Sequence, residues 1–440
     1  MKHIEKNKFL VGGLYLSMVF FLLNGINTAL NFFGLSITIP VMVVMAFYMF
    51  YFFTKEVPYK SWFFSWILIT YFVYLFISLF SLYMLQQTHH SIDIPYQLRS
   101  MLYNIIIIYV FYRFVTDRLY YNKFKDVIVV LFISATVGGL LTLYSGLFGL
   151  YSKEVTEFVY DPTLMIEERL SGIYANPNLA GFIANLGLTF SLTFLLSKGV
   201  WPKIIGIVGV VFSISTSVAT FSKTSLLQCI LITFIFLLVY FVKYKNIENR
   251  TRRGINTILI AIIILMIPLS IFLASAYDDL TPFQQERIDQ ITQLLTTGKA
   301  NSEITTNRSD AVADGLNKIA EHPFIGNGFL SFARLKDASE KVGEEIGVHN
   351  TFLLVLGDGG IFPFILYLLF HVLCFVRFTK IKNVQIKCFA IMLLLSTIFF
   401  NTTNHEALQN PIQAVLIGIF CALASYSYYQ DKKVLLQENT

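Results

Sequence analysis

The sequence predicts an all-α polytopic membrane protein, and three observations carry that prediction. Of 440 residues, 55% are hydrophobic and only 14% are charged, with a mean hydropathy of +0.64; soluble domains are about one quarter charged. Apolar runs near the length needed to cross a bilayer, about 20 residues, recur along the whole chain. Lysine and arginine fall mostly on one side when those runs are threaded alternately through a membrane.

Twelve runs are expected to span: 9–30, 35–53, 62–85, 100–116, 127–149, 179–197, 203–221, 224–242, 255–276, 350–376, 385–400 and 411–429. Most lack the alternation of barrel strands and all are too long for them, so helices are the structure that satisfies the backbone in lipid. The first run follows a basic start, MKHIEKNKFL, with no small-residue cleavage site behind it, and is read as a retained helix. With the N-terminus in the cytoplasm, the inner segments hold 22 Lys plus Arg. The short outer segments hold only 4, namely Arg99, Lys153, Arg169 and Lys223. Loop 277–348 is left out of that count because long loops translocate largely regardless of charge. A wrong number of helices would scramble the bias, so twelve spans with both termini inside is the expected layout. The chain then divides into helices one to nine (1–276), an extracytoplasmic helical loop (277–348) and helices ten to twelve (349–440).

The net charge of +6 belongs to the ends of the apolar runs and implies no nucleic-acid partner. Cys229, Cys374, Cys388 and Cys421 lie in or beside apolar runs without metal-ligand spacing and are read as small apolar helix residues. Two outer segments, 150–178 and 277–348, are long enough to carry function. In the second, Thr281-Pro282-Phe283-Gln284 reads as a helix start, with Ile288, Ile291 and Leu295 on one face. A second helix is expected from near Asn307 to His322-Pro323, and a third in 333–346, together forming a small cap on the membrane.

Polar groups collect at the outer ends of the runs. Arg169 precedes Asn176-Pro177-Asn178 at the start of helix six. Ser222-Lys223 lies between helices seven and eight, Arg308 in the long loop, and His349-Asn350 at the start of helix ten. Asn401, Asn404, His405 and Glu406 lie between helices eleven and twelve. Ionisable groups beside apolar helices cost several kcal/mol unless paired or wet, which makes them functional candidates. Three cations, Arg169, Lys223 and Arg308, suit a phosphate or diphosphate. His349 stands at a helix start, where the dipole disfavours imidazolium, and a neutral imidazole accepts a proton from a hydroxyl. Each residue also has a structural reading. Arg169 and Lys223 can anchor in the interface. Arg308 and the His405–Glu406 pair can be solvated. His349 can cap a helix, and Asn176-Pro177-Asn178 can be a turn. Gly326, Gly328, Gly359 and Gly360 are expected to be turns or close-packing sites.

The order of these segments resembles the O-antigen ligase and O-antigen polymerase superfamily. Four stretches carry the resemblance: Arg169-Leu-Ser-Gly172 with Asn176-Pro177-Asn178-Leu-Ala180; Thr220-Phe-Ser222-Lys223; Asn307-Arg308 through His322-Pro323-Phe-Ile-Gly326-Asn-Gly328; and Val348-His349-Asn350-Thr351 with Gly359-Gly360 beyond. The family's second motif usually reads Ser-Arg, and Lys223 keeps the charge but loses the fork. The tryptophan often found after the loop arginine is missing here. The resemblance implies a GT-C-like membrane glycosyltransferase on the outer face of the bacterial inner membrane. It implies a glycan donor on undecaprenyl diphosphate, an acceptor glycan on lipid, and neither cofactor nor metal; the motifs are free of clustered Asp and Glu, the ligands hard cations want. It assigns His349 as base, Arg169, Lys223 and Arg308 as diphosphate binders with Arg308 also catalytic, and Asn176, Asn178, Asn350, His405 and Glu406 as acceptor or supporting residues. Chain-length regulator and flippase proteins are the expected partners.

Two reactions fit, polymerisation of lipid-linked repeat units or ligation to a lipid A core. The excess of Lys over Arg and the richness in Ile, Phe and Asn suggest an AT-rich genome and favour the polymerase. A lipid-linked glycan transporter is the reading of another class; it predicts internal symmetry and mid-membrane cations, and no repeat is found.

Overall fold

Apolar segments too long for barrel strands satisfy their backbone in lipid as helices, and the computed structural model is built of helices accordingly. It describes residues 7–56, 62–85, 94–143, 170–174, 176–242, 256, 282–297, 308–332, 335–336, 345–346, 349–404 and 408–438. In chain order the helices are α1 (Lys8–Leu22), α2 (Gly25–Phe33), α3 (Thr38–Phe53), α4 (Trp62–Met84), α5 (Ile94–Tyr120), α6 (Phe124–Leu143), α7 (Pro177–Leu195), α8 (Val200–Ala219), α9 (Lys223–Val242), α10 (Pro282–Thr297), α11 (Arg308–Glu321), α12 (Thr351–Gly359), α13 (Ile361–Thr379), α14 (Val384–Asn401) and α15 (Pro411–Glu438). One 3-10 turn, Gly172–Tyr174, precedes α7.

Among the described residues, nine helices are long and apolar enough to cross a membrane: α4 to α9 and α13 to α15. The apolar helices α1 and α3 are shorter, at 15 and 16 residues. The expected ninth span, 255–276, lies outside the described residues apart from Asn256. Helices α5 and α15 run well past their expected ends, because a hydropathy count stops at the first polar residues while the backbone ladder continues into them. Two expected single helices are broken. The first divides at Asn24, whose left-handed φ of 53° separates α1 from α2. The tenth divides at Gly360 into α12 and α13.

The helices form an inner and an outer set. Helix α7 is buried almost throughout, between α6, α8, α9 and α14. Helix α15 packs along α5. The outer helices are apolar on both faces. In α3, Met42, Met45 and Phe52 are buried while Val43, Phe47 and Phe50 point outward; in α4, Phe72 and Phe76 do the same. Rows of exposed phenylalanines are unstable against water and stable against acyl chains. The molecule is therefore a multi-pass membrane protein.

A fully buried polar network fixes the inner helices against each other. Asn185 Nδ2 on α7 donates to Ser225 O (2.8 Å) and Gln228 Oε1 (3.1 Å) on α9, and Ser217 Oγ on α8 donates to Asn185 Oδ1 (3.2 Å). Gln228 Nε2 then donates to Ser396 O on α14 (2.8 Å). In lipid such side chains act as glue between helices, since the alternative is an unsatisfied dipole in hydrocarbon.

The two expected loop helices form, as α10 and α11, starting at Pro282 and Arg308. The third was expected in 333–346, most of which lies outside the described residues. The described residues there are two strands, Leu335–Lys336 (β1) and Glu345–Ile346 (β2), paired antiparallel with Leu335 opposite Ile346. The pairing sets these two apolar residues across from each other; a helix running through both would hold them about three turns apart.

Candidate functional site

Several motif residues meet at one end of the bundle, and α14 supplies the common reference. Near its C-terminal end, Phe400 stacks on Phe182 of α7 (4.2 Å between centroids), and Ser396 holds Gln228 of α9. Just past that end, the Asn404 carbonyl accepts from Thr351 Oγ1 of α12 (2.5 Å). The first turns of α7, α9 and α12 therefore share one level.

The first two motifs touch directly. Asn176 caps α7, its side chain accepting from the Asn178 backbone N–H (2.8 Å) with Pro177 in the first turn. Asn178 Oδ1 in turn accepts from Ser222 Oγ (2.7 Å). Ser222 also accepts from Ser225 N–H (3.2 Å), the geometry of an N-cap, so its hydroxyl is held at both ends. Phe221 before it adopts a φ of 44°, a sparsely populated conformation for a bulky residue that the surrounding structure must enforce. The result is that Lys223 starts α9, the position where the helix dipole disfavours a cation and favours an anion beside it.

The third and fourth motifs also meet. Pro323 O accepts from Ile361 N–H (3.0 Å), and Asn327 N–H donates to Gly357 O (2.7 Å). The turn thus lies against the α12–α13 break. Gly326 and Gly360 make this possible. Both have positive φ, 72° and 77°, and a Cβ at either would strike the backbone of the other segment, Asp358 from Gly326 and Phe324 from Gly360. The expected role of these glycines in turns and close packing is what the structure has. Asp358 completes the junction. Its buried carboxylate accepts from Tyr74 Oη (2.8 Å), Leu330 N–H (3.0 Å), Phe332 N–H (2.9 Å) and Ser331 Oγ (3.2 Å). It fastens the turn after α11 to α12 and α4. Lys318 of α11 lies half-buried over Phe332 (5.6 Å). Burial pushes its ammonium down from the ordinary lysine range, against the pull of Asp358 and Glu321.

Asn350 caps α12, accepting from Phe352 N–H (2.9 Å) and Leu353 N–H (3.1 Å). His349 stands one residue before that cap, half-buried. Arg308 is the first residue of α11. Its side chain lies outside the described residues, as do Arg169, His405 and Glu406 altogether. The structure thus joins Asn176, Asn178 and Lys223 in one corner and His349 with Asn350 in another, on the same end of the bundle. Sequence reading missed Asp358, although an acid inside an apolar run is itself a signal. It also missed the bond between Asn178 and Ser222, which no local pattern announces.

A multi-pass membrane protein with capped helix starts, a lysine and a histidine at one end is a candidate membrane enzyme. Residues 208–368 match the family model described as O-antigen ligase, and the match supports the O-antigen ligase and polymerase superfamily. It covers under half of the chain, taking in Lys223, Arg308 and His349 and leaving out Arg169, Asn176 and Asn178. No curated protein matches the chain.

Proposed function

We propose that the protein transfers a glycan from an undecaprenyl-diphosphate-linked donor to a sugar hydroxyl of a lipid-linked acceptor, on the outer face of the inner membrane, as a polysaccharide polymerase. The observation that supports this best is the Asn178–Ser222 bond seating Lys223 at the start of α9, at the same end as His349. In this reading His349 takes the proton of the acceptor hydroxyl. The oxygen attacks the anomeric carbon, the new glycosidic C–O bond forms, and the C–O bond to the diphosphate breaks. The lipid diphosphate leaves with the electron pair, its charge met by Lys223, Arg308 and Arg169. The proton passes from the imidazole to water or to the leaving diphosphate. Direct attack inverts the anomeric centre, and the residues named supply the charge without a metal. Both termini face the cytoplasm, and a flippase and a chain-length regulator act before and beside the enzyme.

Ligation to a lipid A core is the second reading, favoured by the description of the matched family. Purified protein given lipid-linked repeat unit alone separates the two. A ladder of lengthening glycan that disappears in His349→Ala is the expected result, with at least a 100-fold loss of rate for removing a general base. Product only after adding lipid A core makes the protein a ligase. Movement of donor across a vesicle bilayer with no product from either acceptor replaces both with transport.

A further inference from the structure

A cavity of about 220 Å³ opens between the ends of α1, α2, α3, α5 and α15. It is separate from the residues assigned to the reaction, and its lining is unusual for a membrane protein. Six carboxamides face it: Asn24, Asn27, Gln97, Asn104, Gln409 and Asn410. Asn24 and Asn104 each use Nδ2 on the protein, donating to Ile173 O (3.3 Å) and Leu408 O (2.8 Å). Asn27, Gln97 and Gln409 make no side-chain hydrogen bond among the described residues. Arg99, resting on the Tyr96 ring at 5.3 Å, is the single cation lining the cavity among the described residues, and no carboxylate lines it among them.

We propose that this cavity is a glycan subsite that holds a sugar unit of the acceptor or of the growing chain. Carboxamides both donate and accept, as sugar hydroxyls do, so a wall of them matches a polyol better than an ion. At about 30 Å³ per water, 220 Å³ equals roughly seven waters, enough for a sugar ring. The Tyr96 and Tyr103 rings offer apolar faces with a polar tip. One guanidinium is too little charge for a diphosphate, which recruits several cations. The position fits as well, because two short paths lead from the cavity to the proposed reaction site. Through Asn24 it bonds Ile173, in the turn that enters α7 at Asn176. Through Asn104 and Ser100 it bonds Leu408 and Gln409, in the connection whose Asn404 holds Thr351 beside His349. The identity of the ligand rests on the glycan-transfer reading.

The test uses full-length protein in nanodiscs and an oligosaccharide made by partial hydrolysis of the surface polysaccharide from the same cells. Binding is read by saturation-transfer NMR. Asn27→Ala and Gln97→Ala remove carboxamides without a partner among the described residues, and Thr38→Trp fills the cavity. Each is expected to weaken binding at least 5-fold, to raise the acceptor KM by a similar factor, and to shorten the product without lowering kcat at saturating acceptor. Wild-type affinity in all three variants overturns the subsite. So does wild-type protein that binds no oligosaccharide, or that retains a phospholipid headgroup there by mass spectrometry in its place. Transfer that survives His349→Ala sinks the catalytic reading instead, while the binding measurement still decides the cavity.

Discussion

Helix α5 carries arginines at both of its ends, and the two ends treat them oppositely. Arg99 and Arg118 are 19 residues apart, about 28 Å at 1.5 Å per residue. At the far end, Arg113 is buried, donating to Tyr109 Oη (3.0 Å), Lys55 O (2.9 Å) and Glu56 O (3.2 Å). Its neighbour Arg118 is buried against Asp117 at 2.9 Å and lies over Phe114. Those guanidiniums are consumed by the fold. At the near end, Arg99 is exposed and lines an open cavity, and Lys223 starts a helix where the dipole works against it. Where a cation is spent on carbonyls and a carboxylate it closes structure. Where it lines an open cavity, as Arg99 does, it is placed to meet a ligand, and at a helix start the dipole favours an anion beside it.

That contrast can be broken most decisively at Lys223. Lys223→Ala is expected to lower the transfer rate about 100-fold, roughly 2.7 kcal/mol in the barrier, with an unchanged melting temperature in detergent. A variant that melts early and turns over normally per folded molecule would place Lys223 with the structural cations. The converse test is Arg113→Ala. Here about 2 kcal/mol of stability is expected to go, since two partly buried carbonyls and a tyrosine lose their donor and a buried side chain is removed, while specific activity stays within two-fold. Thermal melting and turnover measured on one preparation check both. The smallest effect is expected at Asn178. Asn178→Ala removes one hydrogen bond to Ser222, worth about 1 kcal/mol, and loosens the start of α9. A several-fold loss of rate with a small shift in melting is the expected pattern, and no loss of rate would show that Ser222 is positioned without it.

Much of the fold was legible from local pattern alone. The runs that became α4, α6 and α9 were readable because hydropathy adds up residue by residue along a chain. The start of α10 at Pro282 and the end of α11 before His322-Pro323 were readable because helix termini are set by the residues beside them. The pairing of Leu335 with Ile346 was not, since a strand's partner is chosen at a distance along the chain and leaves little local period. The break at Asn24 was hidden as well, because Asn and Gly inside an apolar run do not by themselves compel a left-handed residue.

The sequence by itself determined the class of the molecule, the positions of most spans, and the order of the segments that resemble the superfamily. These follow from the cost of polar groups in lipid, which acts on each stretch of chain independently. Only the tertiary structure decided that Asn178 holds Ser222, that Asp358 fastens Leu330, Ser331 and Phe332 to α12, and that carboxamides from the α1–α2 break, α2, α5 and the segment before α15 face one cavity. Those contacts join residues 26 to more than 300 positions apart. They depend on how helices cross and which rotamers survive the packing, quantities that no window of sequence contains.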